Sequence, residues 1–584
     1  MTVNTPKIRQ FEYSQNGLDY LKHTLSLTQD EKLFFDYPIV YIVEDENKTS
    51  SKYQKSTFDV YVGEANRLEQ RTRQHLNDKN DKLQKLTHNP HVYAIGHDMF
   101  TKSMTLDIEN RLINNMMGID RVKSLNGRGN QQGQYYTSNM TDEIFHKIWN
   151  KLHHENKELI PPLNVVRDSA LFKASPFHKL SEKQRKAKNE IISRIESALS
   201  TEDDGQLIII DGAAGTGKTV LLSSLFFELS SHGQGEFANP IINNLDSYLL
   251  VNHDEQLTVY DQIAKKLGLS TKNHDKKLGL STKNHDIVKK PTTWINHRPV
   301  NSKADVVLVD EAHLLWTQGK QSWKSGWQLD EIRKRAKVTV IVFDQKQILR
   351  SEQHIDSEHI ATMFLSANCV VKLEDQFRID ASDETIKWIE NFVEGSIDAI
   401  PYDNKYDLKI FEDPLKMYHE IIHKSKDQQN GLSRMLATFD WEYKQGKSGY
   451  GKNDKWTVIA DNLELPWNLE TRTSKDKQRN RGLSWAESDY SINEIGSTFT
   501  IQGFDLNYAG LILGPSVIYR DGKVSFDSSA SANKNAIKKR NGKDHAVEHL
   551  KNELNVLIKR GVHGLFLYAV DSELQKALLD AQNN

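Results

Sequence analysis

The chain has 584 residues, too many for one hydrophobic core, so we expect three or four domains. Its formal net charge of -2 says little about nucleic-acid binding, because local patches decide that interaction. The single cysteine, Cys369, excludes intramolecular disulfides and cysteine-based zinc clusters. No apolar run reaches the roughly 18–20 residues that span a bilayer, and Met1–Asp30 lacks the apolar segment of a secretory signal. We therefore expect a cytoplasmic protein without membrane contact.

The first predicted domain is a small α/β module at residues 36–134, which follows an N-terminal extension at residues 1–35. Two β-rich runs with tyrosines, a basic helix, a strand and a second helix are predicted in this order: Pro38–Val43, Phe58–Gly63, Arg67–Lys85, Val92–Ile95 and Leu106–Met117. A stretch rich in glycine, glutamine and asparagine, Asn126–Gln134, marks the end of this module.

Strands and helices alternate after a helical connector at residues 135–175. Predicted helices include Asp142–Glu158 and Lys183–Leu199. The predicted strands are short apolar runs: Leu207–Ile210, Tyr248–Val251, Val306–Val309, Val338–Phe343 and Tyr508–Leu513. Such runs are typical of strands that are covered on both faces of a parallel sheet. The sequence therefore predicts an α/β fold with two doubly wound parallel-sheet lobes, residues 176–350 and 351–584.

A perfect tandem repeat lies inside the first predicted lobe. The sequence KKLGLSTKNHD occurs at Lys265–Asp275 and again at Lys276–Asp286. A solenoid needs at least about three repeats, so two copies do not make a repeat fold. A duplication tolerated in a surface loop or helical spur is the favoured interpretation, and a basic contact element is the alternative.

The run Gly212–Thr219 fits the phosphate-binding pattern G-x-x-x-x-G-K-[ST]. It lies where the mechanism requires, directly after the predicted strand Leu207–Ile210 and before the apolar helix Val220–Leu229. The glycines let backbone N–H groups close around phosphates, the lysine reaches the β- and γ-phosphates, and the threonine hydroxyl binds Mg²⁺. The candidate nucleotide ligands of this run are Gly212, Gly215, Gly217, Lys218 and Thr219.

Two adjacent acids end the apolar strand Val306–Val309. We expect Asp310 to hold Mg²⁺ through water and Glu311 to polarise the attacking water. The alternative is that both acids only cap the next helix.

Three further sites resemble motifs of superfamily 1 helicases. Gln184, in Leu-Ser-Glu-Lys-Gln upstream of the phosphate-binding run, resembles the glutamine that reads adenine. Gln347, in Val-Phe-Asp-Gln-Lys-Gln, resembles the glutamine of the third motif, and this implies that it senses the γ-phosphate. Arg378, in Gln-Phe-Arg, resembles the phosphate-binding arginine of the fourth motif.

The second predicted lobe continues this resemblance. Thr498–Asp505 resembles the fifth motif, with Asp505 where many relatives carry glutamate. Arg560, in Val-Leu-Ile-Lys-Arg-Gly, resembles the arginine finger of the sixth motif. Many relatives have threonine where this chain has Lys559, so an additional cation stands beside the finger.

The order and spacing of these motifs, over roughly Ser175–Asp571, resemble helicase-like ATPases related to the Schlafen family. The resemblance implies two RecA-like lobes with ATP and Mg²⁺ as cofactors. Asn252–Gln256 resembles the family's early nucleic-acid-contacting motif. Trp441 resembles an aromatic landmark of the second lobe. Its role, as a core tryptophan or as a base-stacking residue, stays open.

The two tyrosine strands of the N-terminal module resemble the pair that names the GIY-YIG endonucleases, Ile39-Val40-Tyr41 and Tyr61-Val62-Gly63. Ile39 stands where the first motif has glycine. Four residues continue the family's pattern downstream: Arg71, His75, Glu109 and Asn126. The resemblance implies that Tyr41 and Tyr61 activate or orient the attacking water and that Arg71 stabilises charge on the scissile phosphate.

Glu109 also has a physical argument, because its spacing places a carboxylate beside apolar residues on the inward stripe of a helix. A divalent cation, Mg²⁺ or Mn²⁺, is the expected partner, and a salt bridge or a half-exposed helix edge is the alternative. Arg67, Arg71 and His75 recur every four residues and are predicted to share one helix face. Without the surrounding motif, such a basic face is usually only solvated, and strand tyrosines can be core residues.

We expect an ATP-dependent translocase or helicase coupled to a metal-dependent endonuclease. The expected partner is nucleic acid, DNA ahead of RNA, in defence against foreign DNA, and a homo-oligomer or a defence-system partner is possible. A nucleotide-gated nuclease switch without processive unwinding is one alternative. An RNA-processing enzyme is another, because it would share every motif described above.

Overall fold

A computed structural model gives the fold of the chain. It describes residues 3–26, 28, 30–48, 56–79, 81–126, 135–230, 245–269, 286–317, 323, 326–427, 431–444, 447–479, 483–501, 503–539 and 542–583. Most of the tandem repeat, residues 127–134 of the glycine-rich stretch and Gln502 lie outside the described residues. Two compact units form the chain, residues 1–179 with 259–285 and residues 180–258 with 286–584. Among the described helices, none has both the length and the apolar character needed to cross a membrane.

The first unit contains one five-stranded sheet. Its strands are β1 (Lys7–Glu12), β2 (Ile39–Asn47), β3 (Thr57–Ala65), β4 (His91–Gly96) and β5 (Val122–Leu125). Their order is β1-β4-β2-β3-β5, and all neighbours are antiparallel except β3 and β5. The helices are Gln15–Ser26, Glu31–Phe35, Leu68–Asn77, Lys102–Met117, Thr141–Glu155, Leu163–Asp168 and Ala170–Lys173. β1 pairs with β4, so it adds an edge strand from within the predicted extension, residues 1–35.

The strand β2 is buried on both faces. Ile39, Tyr41 and Val43 pack in one cluster with apolar residues of the helix Gln15–Ser26. Val40 and Ile42 point to the opposite face of the strand and are also buried. The two-residue period of the strand thus fixes the side of the sheet on which Tyr41 lies.

The prediction of one basic helix over Arg67–Lys85 is wrong. The helix is Leu68–Asn77, and a separate 3₁₀ turn covers Lys82–Lys85. Asp78 adopts an extended backbone after the helix, within a run of asparagine and aspartate whose side chains compete for backbone hydrogen bonds. Arg67 precedes the first helical residue with an extended backbone, so only Arg71 and His75 lie within the helix.

The second unit begins with a six-stranded, wholly parallel sheet. Its strands are β6 (Gln206–Gly212), β7 (Ser247–Val251), β8 (Val288–Lys289), β9 (Ala304–Asp310), β10 (Ala336–Phe343) and β11 (Cys369–Leu373). Their order is β11-β6-β10-β9-β7-β8. The helices are Glu182–Thr201, Lys218–Ser230, Pro291–His297, Gln328–Arg333 and Ser357–Leu365, and the helix Asp254–Lys266 begins in this unit and ends in the first. The carboxyl ends of β6, β10 and β9 are neighbours, which places the segments that follow these strands at one edge.

A second parallel sheet and two hairpins follow. The strands in this part of the chain are β12 (Asp407–Ile410), β13 (Arg434–Ala437), β14 (Thr457–Ala460), β15 (Leu463–Pro466), β16 (Ile495–Gly496), β17 (Leu506–Leu513), β18 (Val517–Arg520), β19 (Lys523–Phe526) and β20 (Gly561–Ala569). Five of them form the sheet in the order β12-β20-β17-β13-β16, and β14/β15 and β18/β19 are antiparallel hairpins. The helices are Asp383–Glu394, Pro414–Lys426, Ser474–Arg479, Thr498–Ile501, Lys534–Ile537, Ala546–Ile558 and Ser572–Asn583.

The predicted α/β fold with parallel sheets is confirmed. Each predicted apolar run is a strand, slightly longer than expected, and its residues are almost all buried, as strands covered on both faces should be. The first parallel sheet extends past the predicted lobe boundary at residue 350, because β11 pairs with β6.

Candidate functional site

The phosphate-binding run forms a tight loop between β6 and the helix Lys218–Ser230. Gly215 and Gly217 have positive φ angles, 89° and 79°, which favour glycine. A Cβ atom at Gly217 would lie 2.2 Å from the side-chain nitrogen of Gln184, so that glutamine lies against the loop. Gln184 also caps its own helix, since its Oε1 accepts from the Ser181 backbone N–H at 3.0 Å.

Lys218 has partners inside the protein. Its Nζ donates to the backbone carbonyls of Gly212 and Ala213, at 2.5 and 2.8 Å, and lies 3.3 Å from Asp344 Oδ2. Gln347 donates to the same Asp344 oxygen at 2.8 Å. Burial raises the pKa of Asp344, but the charge of Lys218 and neighbouring groups lowers it overall, so a buried carboxylate faces the lysine. An entering phosphate would meet a lysine that has to change partners.

The two acids after β9 are both buried. The Glu311 backbone N–H donates to Asp310 Oδ1 at 3.0 Å. Glu311 has a positive φ of 48°, a backbone strain of roughly 1–3 kcal/mol that such residues carry at functional sites. It precedes the short 3₁₀ turn Ala312–Leu314 without any side-chain capping bond, which argues against a role in capping alone. Burial lowers the pKa of His313, whose Nε2 lies 3.4 Å from Glu311 Oε2, so this neighbour is a neutral imidazole.

Both predicted arginines lie near these groups. Arg378 forms an ion pair with Asp505, Nε to Oδ1 at 2.6 Å. Arg560 is fully buried and donates to the carbonyls of Val556 and Phe504 at 2.8 and 3.0 Å. Burial and the nearby charge of Arg378 lower the pKa of Arg560 to about 9, while the carboxylates of Asp505, Glu311 and Asp344 oppose this shift. The structure therefore brings together the predicted residues from both parallel sheets.

The arginine segment also closes on the phosphate-binding loop. Gln376 donates to the Ala214 carbonyl at 2.9 Å, and the Phe377 N–H donates to the Gly215 carbonyl at 2.8 Å. Thr219 is half-buried at the start of the helix Lys218–Ser230. Its hydroxyl and the Asp310 carboxylate are oxygen donors of the kind that Mg²⁺ prefers, so the residues fit the expected ion.

Two residues of this site were not among the predicted site residues. Asp344 lies inside the quoted third motif, and its position directly after a buried strand is the signal that points to it. His253 is half-buried by its accessible surface, and burial lowers its pKa to about 4, with Glu311 and Arg560 among the charges that act on it. It lies in the run Asn252–Gln256 that the sequence had marked for nucleic-acid contact. Trp441 packs against Trp467 and donates to the Ile459 carbonyl at 3.1 Å, which supports a core role.

A separate cavity of about 330 Å³ opens in the first unit. The predicted nuclease residues Tyr41, Tyr61, Arg71 and Glu109 all line it. The other lining residues are mostly polar or charged: Gly63, Glu64, Ala65, Asn66, Arg67, Gln70, Gln74, Lys102 and Leu106. Glu109 is 8% exposed, so its position on an inward helix face is as predicted.

A relay of side chains leads from this cavity into the protein. The Tyr41 hydroxyl lies 3.0 Å from His75 Nε2, and His75 Nδ1 lies 2.6 Å from Asp81 Oδ2. Burial lowers the pKa of His75 despite the opposing effect of Asp81, so the imidazole is neutral, donates to Asp81 and accepts from the phenol. Burial raises the pKa of Tyr41, which keeps the phenol protonated. Asp81 was missed because it follows the end of the helix that carries His75.

Arg71 connects the two tyrosines. Burial lowers the pKa of Arg71, but its contacts with the side chains of Tyr41 and Tyr61 raise it overall. The two tyrosine rings stack with their centroids 6.2 Å apart. The arrangement thus places a cation, two phenols and a carboxylate, Glu109, around one open space.

Gly63 and Asn126 hold the two tyrosine strands. Gly63 pairs with Tyr41 across β2 and β3, and a Cβ at Gly63 would lie 2.5 Å from the Tyr41 ring. The Asn126 side chain donates to the Val62 carbonyl at 2.6 Å and accepts from the Val62 N–H at 2.8 Å. One amide therefore pairs with the backbone of β3 in the way that a neighbouring strand would.

Comparisons with known proteins cover much of the chain. A family model described as the Schlafen group 3 DNA/RNA helicase domain matches residues 205–571. The uncharacterized protein YPL245W of Saccharomyces cerevisiae is 34% identical over 460 residues, which cover 72% of this chain and 94% of the yeast protein. The range of the family match contains the phosphate-binding loop, the acid pair and both arginines, and the N-terminal cavity lies outside it.

Proposed function

This chain belongs to the Schlafen group 3 DNA/RNA helicase family, and we propose from this premise that it is an ATP-driven nucleic-acid motor that carries a metal-dependent endonuclease. Membership of a helicase-like family makes the chain a nucleic-acid-related NTPase. One observation carries the motor assignment: Lys218, Asp344, Glu311, Arg378 and Arg560 converge on a single phosphate-binding loop from segments far apart in sequence.

The proposed ATPase cycle starts with an exchange of partners. The phosphates replace the carbonyls of Gly212 and Ala213 as the partners of Lys218, and Arg378 leaves Asp505 for the phosphate chain. Mg²⁺, held by Thr219 and Asp310, would neutralise phosphate charge. Glu311 holds and polarises the attacking water, and Gln347 reports the presence of the γ-phosphate to Asp344.

Arg560 acts last in this proposal. Its guanidinium has to turn from the Val556 and Phe504 carbonyls toward the transferring phosphate, where its charge matters most in the transition state. Because the arginine follows the helix Ala546–Ile558, this step links hydrolysis to movement of the second parallel sheet. Repeated cycles would advance the protein along nucleic acid through salt-sensitive phosphate contacts.

The cavity of the first unit is the proposed nuclease site. Tyr41 orients the attacking water, and its proton is held toward His75, which Asp81 keeps in the required tautomer. Arg71 stabilises the charge that develops on the scissile phosphate. Mg²⁺ or Mn²⁺ on Glu109 would supply Lewis acidity there, and a buried carboxylate beside open space fits such an ion. Defence against foreign DNA is the setting that we propose for this combination.

A nucleotide-controlled switch is the second candidate. It is favoured by the ion pair between Arg378 and Asp505, because ATP would break a contact between the segment after β11 and the start of β17. In that case ATP binding alone gates cleavage, and little ATP is consumed per cut. An RNA-processing role differs only in the substrate.

The deciding experiment measures ATP hydrolysis and cleavage with single-stranded DNA, duplex DNA and RNA. Lys218→Ala is compared with Lys186→Ala, an exposed lysine on the helix Glu182–Thr201. We expect nucleic acid to stimulate ATP hydrolysis in the wild type and in Lys186→Ala but not in Lys218→Ala. Normal turnover in Lys218→Ala would contradict the motor. Cleavage that needs ATP binding without hydrolysis would favour the switch.

A further inference from the structure

Three histidines cluster beside the helix Ala546–Ile558, away from the groups used above. His354 comes from the segment after β10, and His545 and His549 come from the start of the helix. The rings of His354 and His545 stack with centroids 3.6 Å apart, and the ring of His549 is edge-on to His354 at 5.4 Å. Donor atoms of His354, His545 and Glu548 all lie within 4.8 Å of one another.

Burial and hydrogen bonding at His549 favour a cation close to this cluster. His549 is fully buried, and its Nδ1 lies 2.7 Å from the Ala536 carbonyl. Its Nε2 is then an acceptor, and within the described part of the chain it has no hydrogen-bond partner. A buried imidazole nitrogen without a partner beside two more imidazoles is the kind of environment that a cation satisfies.

The surroundings of the cluster are acidic. Asp356 Oδ1 lies 3.7 Å from His354 Nε2, where a carboxylate can orient a ligating imidazole. Glu548 is exposed, with Oε2 3.7 Å from His545 Nδ1, and the charge of Glu352 opposes the burial that lowers the pKa of His549. Lys543 pairs with Asp356 at 3.7 Å. The carboxylates of Asp356, Glu548 and Glu352 thus lie around the cluster.

We propose that His354, His545 and Glu548 bind a divalent transition-metal ion, Zn²⁺ first, with His549 as the next imidazole behind them. Two imidazoles and a carboxylate form a donor set that suits Zn²⁺. Donors at about 2.0–2.2 Å from the ion have to stand closer together than they do here, by roughly an ångström. His545 and Glu548 are partly exposed, so rotation of these side chains can close the gap.

The proposed ion would tie two segments that already meet. Ser351 N–H donates to the Asn535 carbonyl, and Asn552 donates to the Ile348 carbonyl, both at 2.9 Å. Asn555 donates to the Lys346 carbonyl at 3.2 Å. The metal would add to these hydrogen bonds and join the segment after Gln347 to the helix that leads to Arg560. Its role is structural and does not depend on the motor or the nuclease.

The test uses the full chain without a histidine tag, stripped with a chelator and kept in excess Mg²⁺ so that oxygen sites are filled. Zn²⁺ is titrated against a chromogenic chelator, and Co²⁺ absorption reports the ligand geometry. We expect one tight equivalent of Zn²⁺ and a higher Tm on addition of Zn²⁺. His423→Ala, an exposed histidine on the helix Pro414–Lys426, should behave as the wild type.

Three variants should lose the ion. His354→Ala and His545→Asn remove imidazoles, and asparagine is a favoured residue at the N-cap position that His545 occupies. Glu548→Gln changes an exposed side chain, so misfolding is not expected to explain its effect. Because loss of an outer partner alone weakens metal binding about 10- to 100-fold, loss of a direct ligand should weaken it at least about tenfold. No Zn²⁺ binding by the wild type, or equal binding by wild type and all three variants, would overturn the proposal.

Discussion

The proposed nucleotide site and the N-terminal cavity differ in the partners that hold their candidate functional side chains. In the nucleotide site, Lys218 is bound by two carbonyls and by Asp344, and Arg378 is bound by Asp505. In the cavity of about 330 Å³, the lining residue Tyr41 is already joined to His75 behind it, and His75 is joined to Asp81. In the proposed functions, the first site would have to exchange internal partners for its ligand, whereas the second is assembled before a ligand enters.

This difference shows how each proposed site offsets the cost of its buried charges before a ligand binds. A buried cation without a partner is costly, so a site that opens and closes needs temporary anions and carbonyls. A preorganised site holds its donors in place and avoids reorganisation during the reaction. In the proposed cycle, this exchange of partners is also how ATP would change contacts elsewhere in the second unit.

The largest expected effect tests the preassembled cavity. Glu109→Gln keeps the size of the buried side chain but removes its charge, so cleavage should fall by about 1000-fold or more, a loss of roughly 4 kcal/mol of transition-state stabilisation. Metal-dependent cleavage and ATP hydrolysis are measured side by side, with Glu158→Gln as an exposed control. Wild-type cleavage by Glu109→Gln would mean that the cavity is not the nuclease.

The next effect tests the exchange of partners. Lys218→Ala should lower ATP hydrolysis by about 10²–10³-fold and, by leaving Asp344 buried without its cation, lower the free energy of unfolding by roughly 3 kcal/mol at neutral pH. The pKa of Asp344 is lowered in the folded protein, so the stabilisation is present above its unfolded pKa and is lost as pH falls through the folded value.

A double variant separates the two losses. In Lys218→Ala combined with Asp344→Asn, stability at neutral pH should recover while hydrolysis stays low. Chemical denaturation at several pH values and steady-state ATP hydrolysis provide the two measurements. If the double variant is no more stable than Lys218→Ala, the lysine does not stabilise Asp344 in the way described.

A smaller effect tests the relay in the cavity. His75→Gln should lower cleavage by about 10–100-fold, below the full range of general base catalysis because Tyr41 remains. The pKa of His75 lies below its ordinary value of about 6.5, so wild-type cleavage should be constant near neutral pH and fall in more acidic solution as His75 is protonated. The pH profile of the variant should lack this acidic limb. An unchanged limb would assign it to another group.

The smallest effect concerns adenine recognition. Gln184→Glu keeps the oxygen that accepts from the Ser181 N–H but loses the amide donor beside Gly217. A neutral hydrogen bond contributes about 1 kcal/mol, so the KM for ATP should rise roughly 3- to 10-fold while that for GTP changes little. Equal changes for both nucleotides would leave Gln184 with a capping role only.

Local sequence patterns predicted much of this architecture. Apolar runs are decisive for buried parallel strands, and the phosphate-binding run is recognisable because its glycines, lysine and flanking strand are contiguous. The helix end at Asn77 was missed because basic residues continue past it, while Asp78 ends the helix through its backbone. Asp81 lies six residues after His75, past the end of the helix, where the helical repeat no longer predicts contacts. His354 meets His545 from a separate segment, and no local spacing reveals such a contact.

The close approach of Gly63 and Tyr41 has a consequence for how this chain can vary. A Cβ at Gly63 would overlap the Tyr41 ring, so the two positions constrain each other as a pair. Once the tyrosine is replaced by a small residue, the space above Gly63 opens and larger side chains become tolerable there. In a library that varies both positions, the side chains accepted at position 63 should therefore depend on the residue at position 41. Variants without the tyrosine should no longer select glycine at position 63.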